Sequence, residues 1–330
     1  MLNNFEKYKN IESVLMCGEV KNKKKPIFSV VIPTYNRKKL LQETLESVLK
    51  QNIDVDYEII IVDNNDDFKN LEVLKIIKSY KNRKIFYYKN KKNIGATGNW
   101  NRCIELSTAE WIIMIHDDDI MLNNALNEIK KIKDKYECDL IHFQHITKDF
   151  INNKIKNPTN GKQTVEKIKL ERFLCGPQIL APVSTAFRKS CAIDIGGFNN
   201  DYLPSIDYEF WVRYISKYKG LYIKNNPIAI YRLEDNDSLK KSTIIGVILS
   251  DYKILKKLEN KYKVQYKLSK YDLLWRIYKK KKLNKEEKKQ IMKKLEYTRQ
   301  DLIIAFLLRK TRVIQFWNIR NKIKTEYLEN

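Results

Sequence analysis

Three consecutive aspartates are the most chemically distinctive feature of this 330-residue sequence. Asp117, Asp118 and Asp119 directly follow an apolar run, Trp111–Ile115. Adjacent carboxylates repel one another, so the ionised triplet needs a cation or strong hydrogen-bond donors beside it. Hard ions such as Mg²⁺ and Mn²⁺ take oxygen ligands, and Mg²⁺ commonly combines one or two carboxylates with substrate phosphates. On a chain with a net charge of +24, the triplet predicts a site for a metal ion and a diphosphate.

A simpler interpretation of the triplet is an acidic surface loop. Asp119 would then be the N-cap of a helix predicted over Leu122–Lys135, because aspartate is favoured at that position. Other phosphate-binding loops have little support. The chain has no GxxxxGK[ST] sequence and no GxGxxG after an apolar run, which disfavours the common nucleoside triphosphatase and dinucleotide-binding classes.

Polar residues also follow three earlier apolar runs. These clusters are Pro33-Thr34-Tyr35-Asn36, Asp63-Asn64-Asn65-Asp66-Asp67 and Asn93-Ile94-Gly95. Ligands of open α/β sheets bind beyond the carboxyl ends of the strands, so we expect the clusters and the aspartate triplet to converge on one rim. Taken singly, the first and third clusters are equally typical of loops, which are rich in Asn, Asp, Gly and Pro.

The elements that must position these residues alternate between strand and helix. Apolar runs bounded by turn residues predict strands, and apolar residues spaced three and four apart predict helices. The predicted strands are Ile27–Ile32, Glu58–Val62, Lys84–Tyr88, Trp111–Ile115 and Asp139–Phe143. The predicted helices between them are Arg37–Gln51, Phe68–Tyr80 and Thr97–Ser107. This order predicts an α/β fold with a mostly parallel, Rossmann-like sheet and helices on both faces.

Composition bounds the remaining classes. Hydrophobic residues at 43% and aromatic residues at 11% indicate a folded chain rather than a disordered one. The longest uncharged apolar run, Leu302–Leu308, falls short of the ~20 residues that cross a bilayer. Five cysteines without paired spacing favour a reducing compartment over a disulfide framework. With no apolar signal core near the start of the sequence, these features predict a cytoplasmic protein.

Positive charge is concentrated near the end of the sequence. From Lys240 onward, 26 Lys and Arg residues face 9 Asp and Glu residues, a net charge of +17. Such asymmetry suggests an anionic partner, either nucleic acid or an anionic membrane surface, although an AT-rich gene would produce the same bias. Helical spacing is predicted over Asp251–Tyr262 and Glu286–Arg320. These helices could lie along a bilayer or pack on the rest of the protein.

Five segments, in order, resemble glycosyltransferase family 2, whose members have the GT-A fold. They are FSVVIPTYNR (Phe28–Arg37), YEIIIVDNNDD (Tyr57–Asp67), NIG with Asn101 (Asn93–Asn101), WIIMIHDDD (Trp111–Asp119) and IGGFNNDYLPSIDYEFWVRY (Ile195–Tyr214). The likeness covers roughly Pro26 to Ser238. It implies a GT-A nucleotide-sugar-binding and catalytic domain over 26–240, after an N-terminal extension over 1–25 and before a basic helical region over 241–330.

The resemblance also implies roles for the rim residues. Pro33 and Tyr35 would flank the nucleotide base, most often uracil, and Asp63 would accept hydrogen bonds from it. Asp119 and Asp117 would be the metal ligands, for Mn²⁺ or Mg²⁺, with Asp117 nearer the ribose. The full set of donor-binding residues implied is Pro33, Tyr35, Asp63, Asn93, Gly95, Asn101, Asp117 and Asp118. The sequence departs from the family pattern at three positions: His116, Ile120 and Trp100.

The last segment supplies a candidate catalytic base. Ser205 is predicted to cap a helix whose first turn contains Asp207, where the helix dipole favours the ionised carboxylate. The resemblance implies that Asp207 is the general base, although Ile206 stands where the family usually has a second acid. Glu209 is the other candidate. An acid in a first helical turn can also serve only to complement the dipole.

Together these features predict an inverting, metal-dependent hexosyl- or N-acetylhexosaminyltransferase. It would move one sugar from a nucleotide sugar to a glycan or lipid-linked oligosaccharide of a bacterial capsule, lipopolysaccharide or other surface polysaccharide. The basic helices would place it on the inner face of the membrane, and no nucleic-acid partner is expected. Two other hypotheses are a basic nucleic-acid-binding protein, favoured by the interleaved Tyr and Trp of the tail, and a sugar nucleotidyltransferase, which lacks its usual glycine-rich loop here.

Overall fold

A computed structural model describes most of the chain. The described residues are 3–19, 25–53, 55–81, 84–158, 161–175, 177, 179, 182–234, 240–258 and 263–310, with only the backbone described at 175, 263–268 and 308–310. Within these ranges the strands are β1 (Ser13–Cys17), β2 (Phe28–Thr34), β3 (Tyr57–Asp63), β4 (Ile85–Asn90), β5 (Trp111–Met114), β6 (Ile120–Met121), β7 (Leu140–Phe143), β8 (Ile146–Asp149), β9 (Lys154–Lys156), β10 (Thr164–Lys167), β11 (Thr185–Arg188), β12 (Gly220–Lys224) and β13 (Ala229–Leu233). The α-helices are α1 (Lys38–Leu49), α2 (Glu72–Ser79), α3 (Gly95–Leu106), α4 (Ala125–Lys135), α5 (Lys189–Asp194), α6 (Ile206–Lys217), α7 (Lys241–Leu258), α8 (Lys263–Lys279), α9 (Lys285–Lys294) and α10 (Arg299–Lys310).

The central sheet has the strand order β1-β4-β3-β2-β5-β11-β7-β12-β10. Strands β4, β3, β2 and β5 are mutually parallel, as the alternation of strands and helices predicts. The other half of the sheet is mixed, because β11 runs antiparallel to both of its neighbours, β5 and β7. The prediction of parallel strands is therefore confirmed for β2 to β5, where a helix connects each pair of successive strands. A smaller sheet, β6-β13-β8-β9, lies beside the main one.

Helices cover both faces of the sheet, as predicted. Successive residues of a strand point to opposite faces, and β2 follows this rule. Val31 packs in one core with α3, α6 and the C-terminal helices. Val30 and Ile32 pack in the other core with α1, α2 and α4. The predicted apolar face of α1 is fully buried in that second core, through Leu41, Leu45 and Val48.

The N-terminal extension predicted over 1–25 contributes to the sheet. Strand β1 pairs antiparallel with β4 at one edge, and the guanidinium of Arg102 in α3 donates a hydrogen bond to the carbonyl of Tyr8. An antiparallel edge strand needs no crossover helix, so the helix-and-strand alternation gives no sign of it. The division of the chain at residues 25 and 240 stays a prediction.

The C-terminal region is helical, as predicted, but its helices have other bounds. Helix α7 begins at Lys241, ten residues before the predicted start at Asp251, and the long helix predicted over Glu286–Arg320 is divided into α9 and α10. Residues 311–320 of that prediction lie outside the described residues. Ile248 of α7 and Leu273 of α8 are buried in the core that contains α6. Among the described residues, no helix combines the length and apolarity that a membrane crossing requires.

Candidate active site

The central sheet changes its direction of winding beside β2. From β2 the chain adds β3 and β4 on one side and then returns to place β5 on the other, so a crevice opens between the carboxyl ends of β2 and β5. A cavity of about 750 Å³ lies there. Six of the eight predicted donor-binding residues line it together with Asp207: Pro33, Tyr35, Asn93, Gly95, Asp117 and Asp118. The fold thus brings together residues that the sequence separates by up to 174 positions.

The aspartate triplet forms a turn between β5 and β6. Asp119 is completely buried, and the helix that follows begins at Ala125 with Asn124 as its N-cap. The alternative of a solvated acidic loop capped by Asp119 is therefore wrong. Burying a carboxylate without a compensating partner is costly, so the neighbours of this turn determine what it can do.

Each aspartate of the turn has a different environment. The hydroxyl of Thr34 at the end of β2 donates to Asp117 Oδ2 at 2.7 Å, and Arg37 Nη1 lies 2.6 Å from Asp118 Oδ2. The backbone N–H of Arg232 in β13 donates to Asp119 Oδ1 at 3.0 Å. Strands from both sheets therefore hold the turn in place.

Two polar atoms at the turn are buried without a hydrogen-bond partner. They are Nε2 of His116 and Oδ2 of Asp119, and His116 Nδ1 lies 3.9 Å from the same carboxylate oxygen. His116 also stacks on Trp100 at a ring-centroid distance of 4.8 Å, so two of the three departures from the family pattern contact each other. Ligand atoms of His116, Asp118 and Asp119 all lie within 4.8 Å of one another, close enough to surround one cation.

The electrostatics of the turn favour a bound cation. Burial raises the pKa of Asp119 well above its usual range, and the nearby charge of Asp118 raises it further. Burial also raises the pKa of Asp117 to about 6 and lowers the pKa of His116. A neutral imidazole and ionised carboxylates are the forms that bind metals, so a cation at this turn would offset the cost of the buried negative charge. The grouping differs from the predicted ligand pair, because Asp117 is not part of it.

The two remaining donor-binding candidates, Asp63 and Asn101, lie behind the cavity wall. Asp63 is buried and accepts hydrogen bonds from the hydroxyl of Tyr87 at 2.7 Å and the backbone N–H of Asn65 at 2.9 Å. Its neighbour Asn64 lines the cavity. Asn101 bonds both backbone groups of Phe198, at 2.7 and 2.9 Å, and so ties α3 to the segment before α6. Their contact with a nucleotide stays a prediction.

Asp207 lies in the first turn of α6, as predicted, but its electrostatics differ from the expectation. The helix dipole is worth roughly 0.3–1 kcal/mol, less than one pKa unit. Burial is the larger effect and raises the pKa of Asp207 to about 7, with a further contribution from the charge of Asp251. A carboxylate with such a pKa can accept a proton near neutral pH. The predicted cap is also different, because Ser205 occupies the N-cap position while its hydroxyl donates to Asp251 Oδ1 at 3.0 Å.

Glu209, the other candidate base, is occupied elsewhere. Both of its carboxylate oxygens accept hydrogen bonds from Arg213, each at 2.8 Å. Its side chain is 2% exposed and does not line the cavity. The geometry therefore favours Asp207 over Glu209 as a proton acceptor.

Sequence reasoning missed the residues that reach the site from afar. Asp251 of α7 and Arg276 of α8 line the cavity, and buried Arg232 holds the aspartate turn. One signal could have indicated Asp251: it is one of only nine acids in a tail with 26 basic residues, and it lies within an apolar helical stretch. Arg232 carries no comparable signal in the sequence.

Solved structures of similar overall fold support the architecture. TarS of S. aureus, residues 1–349 in complex with UDP, superposes with a TM-score of 0.60 at 17% identity over 81% of this chain and 78% of that one. The mannosyltransferase PcManGT of Pyrobaculum calidifontis, in complex with GDP-Man and Mn²⁺, superposes with a TM-score of 0.55 at 14% identity over 92% and 85% of the two chains. Both likenesses concern the GT-A fold.

Sequence relatives cover most of the chain. The GalNAc(5)-diNAcBac-PP-undecaprenol beta-1,3-glucosyltransferase of Campylobacter jejuni is 27% identical over 72% of this chain and 76% of its own length. Abequosyltransferase RfbV of Salmonella typhimurium is 25% identical over 72% and 75%. The profile of glycosyl transferase family 2 matches residues 29–194, which contain the aspartate turn and every strand of the parallel half of the sheet from β2 to β5. This match to half of the chain establishes that the protein is a glycosyltransferase of family 2.

Proposed function

We propose that this glycosyltransferase moves a single sugar from a nucleotide sugar, preferably a UDP-sugar, to a hydroxyl of a glycan or lipid-linked oligosaccharide. One observation carries the proposal: Asp117 and Asp118 of the aspartate turn line the same cavity as the candidate base Asp207. Similar structures contain UDP, UDP-GlcNAc or GDP-Man, which supports a nucleotide-sugar donor. The named relatives of Campylobacter and Salmonella support a role in surface-glycan synthesis.

We infer that the donor diphosphate binds at the aspartate turn with a divalent cation. The residues fit a metal because His116 and Asp119 each present a buried atom without a partner, and Asp118 completes the group. A bound Mn²⁺ or Mg²⁺ would supply Lewis-acid stabilisation of the charge that develops on the leaving diphosphate. Arg37, 2.6 Å from Asp118, adds a fixed positive charge beside the same phosphates.

The position of Asp207 relative to the donor determines the stereochemistry of transfer. Asp207 accepts the proton of the acceptor hydroxyl as that oxygen attacks the anomeric carbon. In this proposal Asp207 and the aspartate turn lie on opposite sides of the bound sugar, and so do the nucleophile and the leaving group. Such in-line displacement inverts the anomeric configuration, as in inverting glycosidases.

The donor experiment is a panel of UDP-, GDP- and dTDP-sugars with Mn²⁺, followed by nucleotide release with and without glycan acceptors. We expect at least one UDP-sugar to be turned over, and the product to have the opposite anomeric configuration by NMR. The Asp207→Asn variant should bind the same donor without transferring it. Turnover of no nucleotide sugar, or a product that retains the donor configuration, would contradict the proposal.

We further propose that the C-terminal helices bring the enzyme to an anionic membrane. Ile303, Phe306 and Leu307 of α10 are 58%, 46% and 51% exposed, and their spacing places them on one side of the helix. The surrounding region carries a net charge of +17. An exposed apolar stripe on a strongly basic region is typical of helices that lie in a bilayer interface. Packing on the catalytic domain, the other interpretation of this region, applies to α7 and α8.

A further inference from the structure

The C-terminal helices also contribute to the wall of the cavity. Thr243, Val247 and Asp251 of α7 and Arg276 of α8 line the same cavity as Asp207. These helices are buried against α6 in one core. The C-terminal region is therefore in position to contact a substrate.

Asp251 is the most unusual member of this wall. It is 3% exposed, and its carboxylate oxygens accept hydrogen bonds from Ser205 Oγ at 3.0 Å and Arg276 Nη1 at 3.2 Å. Ser205 directly precedes α6, so Asp251 is anchored two residues from the proposed base. Its negative charge also raises the pKa of Asp207, which shows that the two carboxylates are electrostatic neighbours.

Arg276 gives this wall a matching donor. Its side chain is 34% exposed and forms two ion pairs. Nη1 lies 3.2 Å from Oδ2 of Asp251 in α7, and Nε lies 3.2 Å from Oδ2 of Asp272 in α8. Nε of Arg276 is buried without a hydrogen bond of good geometry. A cavity-facing guanidinium beside a carboxylate offers hydrogen-bond donors and acceptors side by side.

Only the carboxylate of this pair is buried, because the side chain of Arg276 is 34% exposed. Desolvation of a buried carboxylate offsets much of its Coulomb attraction to a cation, so the pair adds little stability. Placed at a cavity wall, the same pair matches the neighbouring hydroxyls of a sugar: the carboxylate accepts from one hydroxyl, and the guanidinium donates to the next.

We propose that Asp251 and Arg276 form the acceptor subsite and hold a vicinal diol of the acceptor sugar, so that its reacting hydroxyl lies at Asp207. The inference rests on the proposed function, because it needs Asp207 to be the base. Asp251 and Arg276 are positioning residues that determine acceptor affinity, and the donor half of the cavity does not depend on them.

The experiment compares acceptor and donor kinetics in Asp251→Asn and Arg276→Lys. With a panel of methyl glycosides as acceptors, we expect acceptor KM to rise about tenfold to a hundredfold, as for a lost hydrogen bond to a charged group. Donor KM and the rate of donor hydrolysis without acceptor should change by less than about threefold. Asp301→Asn is the matched control, because Asp301 is also an acid of the C-terminal helices with an ion pair, to Lys270 at 3.9 Å, but it does not line the cavity.

The outcomes separate this inference from the proposed function. A wild-type protein that neither hydrolyses nor transfers any nucleotide sugar overturns both. Wild-type transfer with an unchanged acceptor KM in the variants, or with donor KM rising as much as acceptor KM, overturns the acceptor subsite alone. Donor hydrolysis without transfer to any glycoside of the panel overturns the assignment of a vicinal-diol acceptor. If Asp251→Asn fails to fold by thermal melting, Arg276→Lys, which keeps the charge and loses the planar fork, decides the question.

Discussion

The two walls of the cavity are built in opposite ways. The donor wall comes from the ends of consecutive parallel strands, and its chemistry lies in short motifs such as Thr34 to Arg37 and His116 to Asp119. The acceptor wall comes from helices α6, α7 and α8, which contribute Asp207, Asp251 and Arg276. These helices follow the parallel strands by about a hundred residues or more. If the proposed roles hold, donor chemistry is a property of the sheet, whereas acceptor recognition depends on how the C-terminal helices pack.

Charge distinguishes the walls as well. On the donor wall Arg37 pairs with Asp117 and Asp118, and buried atoms of His116 and Asp119 lack hydrogen-bond partners. On the acceptor wall Arg276 neutralises Asp251. Among the described contacts, the side chain of Asp207 accepts a hydrogen bond only from the backbone N–H of Tyr208. The donor wall is thus prepared for a cation and a phosphate, and the acceptor wall for a neutral substrate and one proton.

The largest effect should come from removing the base. Asp207→Asn leaves the cavity shape unchanged but cannot accept a proton, so we expect transfer to fall about 10³-fold, within the range for general-base catalysis. Donor binding belongs to the other wall and should stay within about twofold. Initial rates of transfer and a UDP titration would measure the two quantities.

Glu209→Gln is the matched control for Asp207→Asn. Both residues lie in the first turn of α6. The Arg213–Glu209 ion pair is buried on the carboxylate side, so its weakening should cost about 1–3 kcal/mol of stability. Transfer per folded molecule should be nearly unchanged. Loss of transfer in Glu209→Gln with full activity in Asp207→Asn would reverse the assignment of the base.

On the donor wall, His116→Phe tests the metal group. Phenylalanine can keep the stacking on Trp100 while it removes the imidazole nitrogens, so we expect Mn²⁺ affinity to fall by about tenfold to a hundredfold. Electron paramagnetic resonance of bound Mn²⁺ measures the affinity, and a nitrogen coupling in the wild-type spectrum should disappear. Unchanged affinity and spectrum would limit the ligands to Asp118 and Asp119.

The pKa of Asp207 predicts the pH dependence of the acceptor wall. Below about pH 7 the base is protonated, so kcat/KM should fall about tenfold for each pH unit. Since the charge of Asp251 raises this pKa, Asp251→Asn should move the acid limb to lower pH. A profile that is flat between pH 5 and 7 would mean that Asp207 keeps an ordinary pKa or is not the base.

The smallest effect concerns the surface outside both walls. Replacing Ile303, Phe306 and Leu307 with Ser should lower binding to vesicles of phosphatidylglycerol by about threefold to tenfold, without a change in transfer to a water-soluble acceptor. Ile151→Ser with Ile155→Ser is a control, because these residues are 67% and 57% exposed outside the basic region. Equal effects of the two variants, or no binding by the wild type in a sedimentation assay, would contradict membrane association through α10.

The donor wall could largely be predicted from sequence. Each of its strands is a short apolar run that ends in polar residues, and the carboxyl ends of parallel neighbours necessarily share one edge. Pro33, Tyr35, Asn93, Gly95, Asp117 and Asp118 therefore converge as expected. The exceptions are local: Asp63 turns inward to Tyr87 and Asn101 to Phe198, which depends on side-chain rotamers that the hydrophobic pattern does not determine.

The acceptor wall could be predicted only in part. Helix α6 and the position of Asp207 follow from sequence, but the pKa does not, because burial outweighs the dipole of α6. Asp251 and Arg276 reach the cavity through tertiary packing of helices whose spacing fits a bilayer and a core equally well. The antiparallel strands β1 and β11 were missed for a similar reason, since their pairing needs no helix between neighbours.

Calorimetric titration of UDP, with Mn²⁺ and with EDTA, tests most directly the claim that a cation joins the donor diphosphate to the aspartate turn. The account predicts UDP binding by the wild type that is at least tenfold tighter with Mn²⁺, and loss of that difference in Asp119→Asn. Equal binding of UDP with Mn²⁺ and with EDTA, or a full Mn²⁺ effect in Asp119→Asn, would contradict it.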